Sequence, residues 1–184
     1  MKRSFCLLIL FVLTISACDK NSVTLVQTEG RKLLLNNKTY QIKGICYHPV
    51  PKGETMRDFS TITQDLLLMQ EAGINTIRVY APIDELAVLD QINAAGIKLI
   101  MGFGYNQEGR FDIASGSILD YIGKYKDHPA ILFWELGNEY NYHPEWFEGD
   151  IANWYTALNS TAQKIKTIDQ NHPVATAHLS LIHI

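Results

Sequence analysis

Glu71-Ala72-Gly73-Ile74-Asn75-Thr76-Ile77-Arg78-Val79-Tyr80 and, 23 residues further on, Ala94-Ala95-Gly96-Ile97-Lys98-Leu99-Ile100-Met101-Gly102-Phe103 are two copies of one local event. Apolar residues recur at helical spacing before each glycine: Ile62, Leu66, Met69 and Ala72 in the first copy, Leu86, Leu89 and Ile92 in the second. Each glycine stands where a helix needs a left-handed residue to end. A nearly continuous apolar run follows, as expected of a strand buried on both faces. A repeated helix–turn–strand unit of this kind predicts parallel strands covered by helices.

Upstream, Lys32–Leu35 and Thr39–Ile42 read as short strands around the turn pair Asn36-Asn37. Lys43–Tyr47 reads as a further strand that stops at His48-Pro49. Downstream, a helix is expected over Ser117 to Lys126, closed by His128-Pro129, then a buried strand over Ala130–Leu136. Ile151, Trp154, Tyr155, Leu158, Ala162, Ile165 and Ile168 trace one face of a long helix, and Pro173–His178 begins another strand. The order suits either a doubly wound sheet or a (β/α)8 (TIM) barrel. A dinucleotide-binding sheet needs a glycine-rich turn after its first strand. Cys46-Tyr47-His48-Pro49-Val50-Pro51 occupies that place, and Gly102-Phe103-Gly104 lacks the third glycine. The expected fold class is α/β, the N-terminal half of a TIM barrel: strands one to four and the start of the fifth.

The chain has 184 residues, 47% hydrophobic and 19% charged, which excludes disordered, collagenous and multi-span membrane classes. Lys2 and Arg3 precede the apolar run Phe5–Leu13, which has the length of a signal h-region rather than a membrane span. Ile15-Ser16-Ala17-Cys18 follows and resembles the bacterial lipobox. Residues 1–17 are therefore expected to be a lipoprotein signal peptide, Cys18 the lipidation site, and 18–30 a polar tether, with a cell-envelope location, periplasmic or surface. Loss of Lys2 and Arg3 leaves 14 basic against 19 acidic residues, a net of −5. No basic run exists, so nucleic acid is not an expected partner. With Cys6 removed and Cys18 acylated, Cys46 is alone, and neither a disulfide nor a metal site is expected.

In a barrel, chemistry sits at the C-terminal ends of the strands. Those ends supply Tyr47 and His48, Arg78 and Tyr80, Phe103 and Tyr105, and Trp134-Glu135-Leu136-Gly137-Asn138-Glu139. Hydroxyl-binding polar groups alternate with rings able to stack on sugars, the pattern of a carbohydrate cleft. Glu139, beside an Asn at a buried strand's end, is placed to protonate a leaving oxygen; the plainer reading is a surface Glu capping the next helix. Glu135 lies about 13 Å away if the strand is fully extended, whereas a retaining pair of carboxyls sits about 5–5.5 Å apart. It reads instead as a buried hydrogen-bonded group or a substrate contact.

The run Trp134–Glu139 resembles the strand-four signature of clan A retaining glycoside hydrolases. His128-Pro129-Ala130-Ile131 resembles the approach to it in family 2. Residues 41–49 resemble the first strand of families 2 and 5. Residues 72–80 resemble the second, and are also close to β-1,3-glucan-acting members. The resemblance implies Glu139 as general acid/base, Asn138 as the partner of the sugar 2-hydroxyl, and Arg78 as the arginine that orients the nucleophile; the plainer reading of Arg78 is a barrel-mouth salt bridge. It also makes Tyr47 and His48 sugar contacts, with a hydrogen-bonded structural role equally open for His48, and leaves Trp146, Tyr140 and Tyr142 as stacking or packed rings. No cofactor and no metal are implied.

The implied function is hydrolysis or transglycosylation of a polysaccharide or oligosaccharide, of β-glucan or β-mannan type, with retention. The competing reading is a non-catalytic sugar-binding lipoprotein with a degenerate barrel. The clan's nucleophile lies on strand seven. Asp84, Glu108 and Asp112 do not resemble that context, so the chain by itself is expected to turn over nothing. Leu179-Ser180-Leu181-Ile182-His183-Ile184 equals a translated sequencing adapter and is read as adapter read-through. Residues 18–178 number 161, against about 250 for a barrel.

Overall fold

The computed structural model describes residues 24–105 and 110–178. The expected signal peptide, Cys18, Glu108 and the adapter-like end lie outside these residues.

Two antiparallel turns of chain come first: β1 (Val26–Glu29), β2 (Lys32–Leu35) and β3 (Lys38–Thr39) form a three-stranded sheet in sequence order. Asn36 and Asn37 both take positive φ, 51° and 63°, as a two-residue hairpin turn requires. The expected tether therefore ends sooner than residue 30. Val26–Glu29 pairs with Lys32–Leu35, and the Val26 N–H donates to the Asn171 carbonyl at 2.8 Å.

A five-stranded parallel sheet follows in the order β4 (Gly44–Cys46), β5 (Thr76–Val79), β6 (Lys98–Phe103), β7 (Ile131–Asn138) and β8 (Val174–Ala177). The crossovers carry α1 (Ile62–Glu71), α2 (Leu86–Ala94), α3 (Ile118–Tyr125) and α4 (Ile151–Ile168). The two repeated glycines end their helices identically. Gly73 and Gly96 sit at φ +74° and +71°. The N–H groups of Ile74 and Ile97 reach back to Met69 and Ile92, and those of the glycines to Gln70 and Asn93. That bond pair satisfies carbonyls the helix end would orphan and turns the chain into the next strand.

The strands bury both faces. On the helix side, Ile77, Leu99, Met101, Trp134 and Leu136 pack against Leu89, Ile92, Ile118, Ile122, Trp154 and Ile165. On the other side, Ile100 and Leu132 meet Val26, with Leu33, Leu35 and Tyr40 around them. The small sheet thus plugs the interior at the strands' N-terminal ends and leaves the C-terminal ends open. Three lysines fasten this lower rim. Lys98 donates to the Pro129 carbonyl, Lys126 to that of Ile168 and Lys166 to that of His172.

Behind β7, the buried Trp134 indole donates to Asp169 Oδ2 at 2.6 Å, and His172 Nδ1 lies 2.9 Å from the same oxygen. Burial alone would raise the Asp169 pKa, but the bonds from His172 and Trp134 hold it below the ordinary value. A depressed carboxylate stabilises the fold above its unfolded pKa, about 3.9, and that contribution is lost as pH falls through the lower folded value. Urea titrations of Asp169→Asn and wild type should therefore converge as pH drops below about 4. A stability gap that persists unchanged into acid would contradict this account.

Candidate active site

At the open end the five strands present Cys46, Arg78, Glu135 and Asn138 to the interior. Arg78 on β5 reaches across β6 to β7. Its Nε donates to both Glu135 oxygens, at 2.8 and 3.0 Å, and its Nη2 also contacts Glu135. The same Nη2 donates to Asn138 Oδ1 at 2.8 Å. Its guanidinium lies 4.6 Å from the Tyr80 ring centroid, and Nη1 stands 3.8 Å from Cys46 Sγ. Burial would lower the Arg78 pKa, but the bonds to Glu135 and Cys46 outweigh it and raise the value.

A guanidinium only donates, so the Asn138 atom facing it is the carbonyl oxygen. The amide nitrogen is thereby turned the other way and left to donate. Beyond it the strand bends. Pairing of β7 with β8 slips between Glu135 and Asn138, Gly137 has φ +73° and Glu139 φ +58°. The Glu139 N–H donates to the Ala177 carbonyl at 2.9 Å, which fixes its backbone. Its side chain is exposed and has no hydrogen-bond or ion-pair partner among the described residues. Glu139 stands at the N-cap position of the short 3-10 turn Tyr140–Tyr142, but its side chain makes no capping bond there; α4 is capped by Asp150, which accepts from the Ala152 N–H.

Not every expected residue faces this mouth. Tyr47 is a correction. Successive strand residues point to opposite faces; Cys46 faces Arg78, so Tyr47 turns toward α1, buried, its hydroxyl donating to Asp65 at 2.7 Å. Burial and that bond push its pKa up. Tyr140 takes the packed alternative: it is buried, 4.9 Å from Trp154 by ring centroids, and its hydroxyl accepts from the Tyr105 N–H. Phe103 is buried against Tyr121 and Trp134, and Tyr105 packs on Phe147 and Trp154. His48 is exposed, edge-on to Tyr80 at 6.4 Å. Trp146 is exposed on the loop after Glu139, stacked on His143 at 3.9 Å with an interplanar angle of 6°. Tyr142 is exposed beside it.

The sequence allows Arg78 a salt bridge and Glu135 a buried hydrogen bond; the structure makes them each other's partner, a pairing the sequence reading did not name. Its signal was available: opposite charges on two buried strands, each at an inward position, must pair or be left desolvated. Asp84 and Asp112 serve other ends. Asp84 binds Lys124, Arg110 and Tyr125, and Asp112 accepts from the Ser115 N–H. Among the described residues, no group of three or more His, Cys, Asp or Glu side chains is arranged to hold a metal ion.

Known structures share this fold. The β-glucuronidase of Parabacteroides merdae, with glycerol in its active site, superposes with a TM-score of 0.67 at 17% identity, over 83% of this chain and 20% of that one. A family 2 β-galacturonidase from Eisenbergiella tayi bound to galacturonate gives 0.66 at 24%, over 84% and 28%. A family 2 member from Bacteroides cellulosilyticus DSM 14838 gives 0.67 at 21%, over 86% and 22%. At these identities the likeness carries the fold. The chain spans between a fifth and three tenths of the length of these proteins. The sequence profile of the glycosyl hydrolases family 2 TIM barrel domain matches residues 26–178, the whole of the described fold apart from Thr24 and Leu25. The chain belongs to that family.

Proposed function

We propose that the complete protein is a retaining glycoside hydrolase in which Glu139 is the general acid/base. The observation that carries this is the pair at the end of β7: an exposed carboxyl, without a partner among the described residues, next to an asparagine whose amide is oriented by Arg78. Glu139 would give its proton to the glycosidic oxygen as the bond to the anomeric carbon breaks, while a carboxylate outside residues 24–178 attacks that carbon. Glu139 would then take a proton from the water that releases the sugar. Asn138 Nδ2 would donate to the sugar 2-hydroxyl, a contact that strengthens in the transition state.

The substrate we favour is a β-linked glucan or mannan, polymer or oligomer. Its support is the run of exposed rings along the mouth, His48 and Tyr80 on one side and Tyr142 and Trp146 on the other. We further propose attachment to the bacterial envelope through a lipid on Cys18, on the strength of the lipobox-like run alone. Proton NMR of the first-formed product tests the mechanism. Retained anomeric configuration is expected, and inversion would refute it. Sugar binding with no product at all would favour the non-catalytic reading.

A further inference from the structure

We propose that Glu135 is a positioning residue, which acts through Arg78 to set the direction of the Asn138 amide; the proposal rests on the functional reading above. Glu135 is buried to 7% exposure, and both its oxygens are taken by Arg78. Its charge is thus committed to Arg78 rather than held free to attack an anomeric carbon. What it does have is a fixed grip on a cation from another strand.

The surroundings are shaped for that grip. In register, Glu135 stands between Gly102 on β6 and Ala175 on β8, the smallest side chains available. With no side chain at Gly102, β6 does not obstruct the path of Arg78 from β5 to β7. A methyl group there would also stand 2.3 Å from the Val79 carbonyl oxygen. The two residues that Arg78 holds on β7, Glu135 and Asn138, bracket the stretch where the strand slips register and Gly137 turns left-handed. β6 still pairs with Glu135 and Leu136, but on the β8 side backbone pairing lapses, and past Leu136 the clamp on Asn138 holds what the ladder does not. A fork of three contacts from one planar group fixes the guanidinium's plane, and the plane decides which Asn138 atom faces it. Without Glu135, Arg78 keeps only Tyr80, Cys46 and Asn138, and the Tyr80 face and the open mouth offer it other orientations.

The test compares Glu135→Gln and Glu135→Asp with wild type in the complete protein, on a substrate and its 2-deoxy counterpart. Because misplacing a transition-state contact by about 1 Å costs about 100-fold, kcat should fall on the order of 10–100-fold for the 2-hydroxyl substrate. KM should change little. The 2-deoxy substrate cannot use Asn138, so its kcat should fall several-fold less, keeping only the loss that comes through the hold of Arg78 on the nucleophile. A general loss of packing would slow both alike, and that result overturns the proposal. In an Asn138→Ala background, Glu135→Gln should add little; full additivity overturns it too. Should Glu135→Gln not fold, Glu135→Asp keeps the charge and draws it back by one methylene. Independently of turnover, the Asn138 side-chain amide resonances of this chain should shift and broaden in either variant; unchanged resonances overturn the proposal. A Glu139→Gln enzyme with full activity would instead sink the functional reading and leave the amide experiment standing.

Discussion

Glu139→Gln in the complete protein is expected to lower kcat/KM by about 10²–10⁴-fold for glycosides with a poor leaving group. The argument starts from the backbone. Left-handed φ at Gly137 and Glu139 lifts the carboxyl out of the sheet, and the Glu139 N–H to the Ala177 carbonyl bond holds it there. No ion pair or hydrogen bond occupies the side chain among the described residues. Gln preserves the shape and removes only the transferable proton. The loss should therefore shrink for aryl glycosides whose leaving group needs no protonation, since their first step does not depend on the acid. A small anion such as azide should restore turnover of such substrates, because it can take the sugar without a general base. Equal losses on good and poor leaving groups would show that Glu139 holds structure rather than moves protons.

The second large effect is on stability. Gly137→Ala places a methyl group 2.6 Å from a Tyr140 ring carbon and 2.8–2.9 Å from two atoms of the Trp154 ring, at a φ of +73°. Tyr140 and Trp154 are both buried and packed on each other and on Phe147, so neither ring can give way cheaply. Overpacking costs about 1–3 kcal/mol and the left-handed backbone about 1–2 more. A total of roughly 2–5 kcal/mol should lower Tm by on the order of 10 °C in a chain of this size. Gly123→Ala is the contrast. It lies in α3, with no positive φ and nothing within 4 Å of the added carbon, so it should stabilise by about 0.5–1 kcal/mol. Thermal unfolding of the two variants that moved in the same direction would refute the packing argument.

The parallel core was legible because its signals are local and repeated. Gly73 and Gly96 announced their helix ends, and the runs after them could only be buried strands. β1 was not legible: Val-Gln-Thr-Glu neither alternates nor clusters apolar groups, and three of its four residues are exposed. Pairing with β2 and one buried valine make it a strand. At the site, Asn138 and Glu139 were readable from the strand-end motif. The partner that orients Asn138 was not, because Arg78 is 60 positions away and only the closing of the sheet brings it near. Tyr47 and His48 were read together although neighbours on a strand cannot share a face. Sequence left Tyr140 between stacking and packing, and the left-handed Glu139 before it turns the ring back under the loop.

The three lysines of the lower rim have a bearing on assembly. Each joins one βα unit to the next through a carbonyl: Lys98 from β6 to the start of β7, Lys126 from α3 to α4, Lys166 from α4 to the start of β8. Where the engaged lysine is also half-buried, as Lys98 and Lys126 are and the exposed Lys166 is not, its ammonium is shielded from acylating reagents until its own junction parts. Pulse acetylation under graded denaturant, read by peptide mass, would then record the sequence in which those two junctions come together, with both probes already supplied by the chain.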